Sequence, residues 1–321
     1  MFFLITLATV RDAVTYVALL SLMATGITLL YKTTKVANFA HASFVTIGAY
    51  ITYSLFSISG LSPYIGMLVA FPVTGLISLV GFYTVLEPLR RRGASFVILM
   101  IATLGIDIIL LGAVNVFADY LQTVYKFPSR NFHIGGSDIW ILGLPGVFVV
   151  SLALNFIIIA TLYLLLSRTK MGIKLRASME NQNLSEVIGI NTSFTLALSW
   201  FIAGALAGLS GALLPLWTLV NPTTGMLLIA AMFCASILGG LEAIHGAFLG
   251  SLIMGFAEIL GISSLADVVG TWILPYRPAV PLLILAITLL ILPGGITSIR
   301  IVKLKSVFMG IKYKSLKGVV K

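Results

Sequence analysis

Apolar runs long enough to cross a bilayer recur almost from end to end of this chain, and only short polar segments separate them. An α-helix rises about 1.5 Å per residue, so about 20 apolar residues span a hydrocarbon core of roughly 30 Å. The candidate spans are Ala13–Tyr31, Val36–Ile58, Ser62–Leu86, Ala94–Phe117, Pro145–Leu166, Phe194–Val220, Met226–Gly240, Gly246–Ile262 and Pro278–Leu292. The expected fold class is therefore all-α, a polytopic integral membrane helical bundle of about nine transmembrane helices, with eight or ten also open. Of the 321 residues 59% are hydrophobic and 9% charged, against about 25% charged in soluble domains. That balance excludes a soluble enzyme, a nucleic-acid-binding domain and a disordered chain. The first apolar run, Met1–Val10, precedes Arg11-Asp12 without a small-residue cleavage site, so it reads as a retained segment rather than a signal peptide.

The net charge of +10 reflects twenty Lys and Arg against ten Asp and Glu. With the N-terminus outside, sixteen of the twenty basic residues fall on the inner side: Lys32, Lys35, Arg90–Arg92, Arg168, Lys170, Lys174, Arg176 and seven between Arg300 and Lys321. Arg11, Lys126, Arg130 and Arg277 remain outside. Basic residues collect in cytoplasmic loops, so the expected topology is N-terminus out and C-terminus in, and the charge implies no nucleic-acid partner. Parity supports this. Met226–Ile262 read as one helix would put the basic tail outside; a break at Gly239-Gly240 restores nine spans and moves Glu242 to a boundary.

Chemistry-bearing motifs are few. Cys234 is the one cysteine, and His41, His133 and His245 lie far apart, so no disulfide framework or metal-ligand spacing is present. No phosphate-cradling loop, nucleophile elbow or zinc-protease motif occurs. The sequence thus implies no enzyme activity, cofactor or metal. Ala118–Leu144 is the largest outer loop; it reads as a connection with Trp140 as interfacial anchor, or as a docking or gating surface.

The inner segment 167–193 is the most informative. Asn183-Leu184-Ser185-Glu186 has the form of a capping box, with Asn183 as N-cap, and Gly189 can end the helix. Leu184, Val187 and Ile188 then share an apolar face. Two readings are open: a helix lying on lipid, or a plug for a groove on a cytoplasmic partner.

Gly172–Asn191 (Gly-Ile-Lys-Leu-Arg-Ala-Ser-Met-Glu-Asn-Gln-Asn-Leu-Ser-Glu-Val-Ile-Gly-Ile-Asn) resembles the cytoplasmic loop of branched-chain amino acid ABC transporter permeases. Asn38-Phe-Ala-His41 with Gly48-Ala-Tyr50, the small-residue run Phe201–Leu213, and Ile237-Leu-Gly-Gly240 with the following Gly246-Ala-Phe resemble three further family segments in the same order, over roughly residues 13–296. Departures are Ala42-Ser43 after His41, Asp107 where a neutral residue is usual, Glu242-Ala243 for Gly-Ser, and Leu292 for Arg before Pro293. They fit a distant member.

The resemblance implies an importer of branched-chain or related hydrophobic amino acids that uses ATP hydrolysed by partner subunits. The partners it implies are two ATP-binding subunits, a second permease subunit (homologous or identical), an extracytoplasmic substrate-binding protein and membrane lipid. On this reading residues 1–300 form the transmembrane permease domain and 301–321 a basic cytoplasmic tail. Within the domain, 167–193 is the coupling loop, with Arg176, Ala177, Asn183, Leu184, Glu186, Val187, Ile188 and Gly189 coupling to an ATP-binding subunit. Asn38, His41 and Asp107 are candidates for the translocation pathway. Asp107 falls near the middle of a span, where a charge costs about 2.5–3.5 kcal/mol. It is hydrogen-bonded within the bundle, lines a cavity, or binds a proton; the last would suit a secondary transporter coupled to H⁺ or Na⁺, the alternative function. Glu258 reads as a near-interface residue. Gly204, Ala205, Ala207, Gly208, Ser210, Gly211 and Ala212 suit close helix packing in lipid.

Overall fold

The computed structural model describes residues 6–241, 243–292 and 294–297; Glu242, Pro293 and the basic tail lie outside the described residues. Its helices are α1 (Leu7–Thr34), α2 (His41–Ser59), α3 (Pro63–Arg91), α4 (Phe96–Val124), α5 (Gly146–Arg168), α6 (Lys170–Glu180), α7 (Gln182–Val187), α8 (Thr192–Trp217), α9 (Thr224–Gly239), α10 (Ile244–Val269) and α11 (Ala279–Ile291). Seven of them are long and apolar enough to cross a membrane, and α9 and α11 are shorter apolar helices. The chain is a polytopic helical membrane bundle.

Local chemistry sets the boundaries. Thr6 Oγ1 accepts from Thr9 N at 3.1 Å to start α1, two turns earlier than its apolar run, and Lys35 ends it with φ of 56°. Residues 36–40 are not helical, so the second span begins at His41 and not at Val36. Asn38 Oδ1 accepts from Ala40 N at 3.1 Å, and Phe39 N donates to Thr103 Oγ1 at 3.1 Å, which satisfies this segment without a helix. α3 runs past Leu86 through a π-helical turn at Phe82–Leu86. α10 holds a second one at Ala257–Gly261. α9 ends at Gly239, and Gly240 takes φ of 96°, a region that favours glycine.

Two helices form the centre. In the most apolar 18-residue window of α1, 94% of residues are buried, and 83% in α8, against 22% in α4 and 17% in α5. The small residues of α8 explain its position. A methyl group built on Gly48 of α2 would collide with the Gly208 backbone. One on Gly211 would meet the Val45 carbonyl, and one on Gly204 the Ser78 side chain of α3. Backbones thus touch where lipid gives no hydrophobic drive to associate and packing must supply it. Buried hydroxyl and amide groups cross-link the layers. Ser210 Oγ donates to Leu19 O at 2.8 Å, Ser78 Oγ to Trp200 O at 2.8 Å, and Asn155 Nδ2 to Ala18 O at 2.8 Å.

The connections collect at two ends. At one, Tyr50 OH donates to Ser129 O at 2.6 Å and Tyr53 OH to Pro128 O at 3.0 Å, while Phe132 pairs with Val220. α4 continues to Val124, so the connection expected from Ala118 begins only at Tyr125; it clamps α2 to the end of α8, and a two-stranded hairpin, β1 (Trp140–Ile141) and β2 (Leu144–Pro145), leads into α5. At the other end, Gln182 Nε2 donates to Thr33 O at 2.9 Å. The 169–191 segment thus lies against the end of α1.

Candidate functional site

The loop between α5 and α8 is two helices rather than one. Thr169 Oγ1 accepts from Gly172 N at 3.0 Å and starts α6, which the polar composition of the segment had concealed. α6 is held to α8 by Ser178 and Thr195, whose hydroxyls lie 3.0 Å apart and buried. Arg176 is exposed and Ala177 half-buried, and Ala177 O accepts the Asn181 N–H at 3.0 Å. The N-cap of α7 is Asn181, not Asn183: its Oδ1 accepts from Leu184 N at 3.0 Å. Asn183 sits inside the helix, because the residue that turns extended is the one that breaks α6. Glu186 does not close a capping box either. It accepts a hydrogen bond from Thr192 Oγ1 at the start of α8, and its Oε1 lies 3.9 Å from Arg90 Nη1.

The apolar face stands out from the body. Leu184, Val187 and Ile188 are 59%, 82% and 66% exposed, whereas Ser185 is buried. Gly189 ends the helix with φ of 82°. The ends of α1 and α3 hold this knob in place through Thr33 and Arg90. Arg90 is anchored in turn: its Nε donates to Glu87 Oε2 at 2.8 Å, and Arg91 Nε donates to Glu87 Oε1 at 2.8 Å. This ion-pair group escaped sequence reading, although Glu87 four residues before Arg91 on one helix face is its signal.

Asn38, His41 and Asp107 are bonded to different neighbours. His41 is fully buried against α1 and lies 3.0 Å from Met23 O through Nε2, which must carry the hydrogen because a carbonyl only accepts. Its Nδ1 and the Asn38 Nδ2 have no partner among the described residues. Asp107 is half-buried and accepts from Ser43 Oγ at 2.5 Å. Thr103 and Asp107, one turn apart on α4, thereby hold residues 37–43 of the adjoining segment.

A fourth group was missed. Glu258 is buried in the π-helical turn of α10, where Tyr16 OH donates to Oε2 at 2.7 Å and Arg277 Nε to Oε1 at 2.8 Å. The Arg277 guanidinium lies 4.7 Å from the centre of the Tyr16 ring and 5.6 Å from that of Trp217. Glu258 is thus a buried ion-pair partner and not a simple interface residue. No sequence spacing joins positions 16, 217, 258 and 277.

A helical bundle with seven helices long and apolar enough to cross a membrane, bearing a short helix with an exposed apolar face at one end, defines a multi-pass integral membrane protein. Residues 9–293 match the family described as the permease component of branched-chain amino acid transport systems. The chain is 42% identical over 295 residues to a probable branched-chain amino acid transport permease protein, LivH, of Methanocaldococcus jannaschii, covering 92% of this chain and 93% of that protein. It is 31% identical over 284 residues to the high-affinity branched-chain amino acid transport system permease protein BraD of Pseudomonas aeruginosa, covering 86% and 90%. To LivH of Escherichia coli it is 27% identical over 305 residues, covering 92% and 96%. No solved structure matches. The chain belongs to the branched-chain amino acid permease family, and it is a multi-pass protein of the cell membrane.

Proposed function

We propose that this chain is the membrane-spanning subunit of an ABC importer that carries branched-chain or related hydrophobic amino acids inward, driven by ATP hydrolysed in two partner subunits. A second permease subunit and an extracytoplasmic binding protein complete the assembly on this reading. Residues 1–300 form the permease domain, with the N-terminus outside and the end bearing α6 and α7 inside. Segment 167–193 is the coupling element that docks on an ATP-binding subunit. Closure of those subunits would switch the bundle between two packed states as rigid bodies. One observation carries this reading: Val187 and Ile188, two aliphatic side chains on a helix bonded to α1, α3 and α8, stay 82% and 66% exposed among the described residues. A partner's groove uses such a knob as a buried anchor.

Ile188→Asp would bury an unpaired charge in that groove and weaken association by several kcal/mol, of the order of 3–5. The exposed site leaves insertion and folding intact. The expected result is normal membrane yield, loss of co-purifying ATP-binding subunit and loss of ATP-driven uptake. Wild-type binding and uptake in this variant would show that α7 is only an interfacial anchor.

Asp107→Asn is expected to keep most of the uptake. The Ser43 hydroxyl that donates to Oδ1 finds the same acceptor in the amide, and the driving force resides in ATP. Uptake that vanished in this variant, or wild-type uptake that ran without ATP and collapsed with an uncoupler, would transfer the assignment to a secondary transporter.

A further inference from the structure

A cavity of about 100 Å³ lies between the lower ends of α3 and α4, beside α8. Phe82, Leu86, Leu99 and Trp200 line its apolar interior, and Phe96 and Arg90 stand at its rim. Phe82, Leu86, Leu99 and Trp200 are buried, whereas Phe96 is 64% exposed, so the cavity opens beside the α3–α4 turn. That turn is Arg90-Arg91-Arg92-Gly93, and Gly93 takes φ of 75°. Arg90 and Arg91 share the carboxylate of Glu87, and Arg90 also faces Glu186 at 3.9 Å, so three arginines meet two carboxylates and the turn keeps a surplus of positive charge. Arg90 and Ala94, which flank Arg91 and Arg92, line the cavity itself. The Arg91 side chain is 68% exposed, and Arg92 is exposed with no ion pair among the described residues.

We propose that the turn and the cavity together bind one anionic phospholipid, with its phosphate on Arg91 and Arg92 and part of an acyl chain against Trp200. Charge complementarity names the headgroup: a guanidinium carries five donors, and the Arg91 fork keeps several after its bond to Glu87. The cavity names the chain. Apolar cavities of about 150 Å³ stay dry and admit a benzene ring, so one of about 100 Å³ suits a short stretch of methylenes. A free phosphate has nothing to place there. Basic pockets between membrane helices at the inner boundary are sites where anionic headgroups bind. The assignment to the inner leaflet rests on the orientation proposed above. Gln182, at the start of the coupling helix, borders the same cavity, so the lipid would brace that helix.

The test uses the full-length chain with Trp140, Trp217 and Trp272 replaced by Phe, leaving Trp200 as the only tryptophan, excited selectively over the eleven tyrosines. It is reconstituted in phosphatidylcholine vesicles doped with brominated phosphatidylglycerol, or with brominated phosphatidylcholine at the same mole fraction. The expected result is stronger quenching by the brominated anionic lipid. Arg91→Gln/Arg92→Gln should reduce the apparent affinity for it roughly 30-fold, about 5-fold per arginine. Leu99→Phe, which fills the cavity and leaves the charges in place, should abolish the quenching. Equal quenching by both lipids, no quenching by either, or a preference that survives the arginine changes would overturn the proposal. Native mass spectrometry of the protein with all four tryptophans adds a second reading: retained phosphatidylglycerol should be lost with Arg91→Gln/Arg92→Gln, and its retention there would count against the site.

Discussion

Gly48→Ala should leave little folded protein in the membrane. The added methyl would overlap the Gly208 backbone, and neither α2 nor α8 has a side chain at that point that can turn aside. The two helices must separate, which also opens the contact of Gly211 with the Val45 carbonyl and shifts α2 against α9, where Gly225 meets the Ala42 carbonyl. The expected loss is about 3 kcal/mol, the upper end of overpacking costs. Gly112→Ala is the matched control: nothing lies within 4 Å of the new methyl. There, helix propensity should make the change neutral or favourable by up to about 1 kcal/mol. Yield and unfolding temperature of both variants in one detergent decide the matter. A Gly48→Ala protein as stable as Gly112→Ala would mean that the α2–α8 approach is not as close as described.

Arg277→Met comes next in size. It strips the guanidinium from a Glu258 whose side chain is 6% exposed, leaving Tyr16 OH as its remaining partner. Removing one member of a buried pair costs about 3–5 kcal/mol; with Arg277 32% exposed, the lower end is expected. Glu258→Leu with Arg277→Met should recover most of the loss, short of about 1 kcal/mol for the unpaired Tyr16 hydroxyl. Thermal unfolding of the two single variants, the double variant and wild type forms the cycle. Additive losses would show that the pair contributes nothing as a pair.

These two predictions mark what a linear reading can and cannot reach. Hydropathy located the spans, because most residues on a membrane helix are apolar whether they face lipid or a neighbour. For the same reason it could not rank them: α1 and α5 read alike, yet one is the centre and the other the rim. The break at Gly239-Gly240 was legible because charge parity demanded one and two adjacent glycines stood there to supply it. The small-residue run of α8 signalled close packing but not its partners, Gly48, Val45 and Thr74, which no periodicity indicates. In the 167–193 segment the apolar triad was evident. The cap was misplaced by two residues, since Asn181 and Asn183 are both competent caps and only the end of α6 selects between them. The cluster of Tyr16, Glu258 and Arg277 joins elements more than 240 positions apart, and no local pattern reports such a meeting.

The central position of α1 also has a consequence for how the protein is made. α1 precedes every other described helix in the chain, yet it is the one the finished bundle encloses most completely, and one of its two main neighbours, α8, is the sixth long span in chain order. The bond from Ser210 to the Leu19 carbonyl spans 191 residues. At about 5–20 residues synthesised per second, Leu19 waits on the order of 10–40 s for that partner. During this interval Ser21, Thr25 and Thr28, all buried in the finished protein, face lipid or the insertion machinery instead. Biogenesis, rather than the finished state, is then the stage at which the first helix is most vulnerable, and a ribosome stalled before α8 would leave a nascent permease without its keystone.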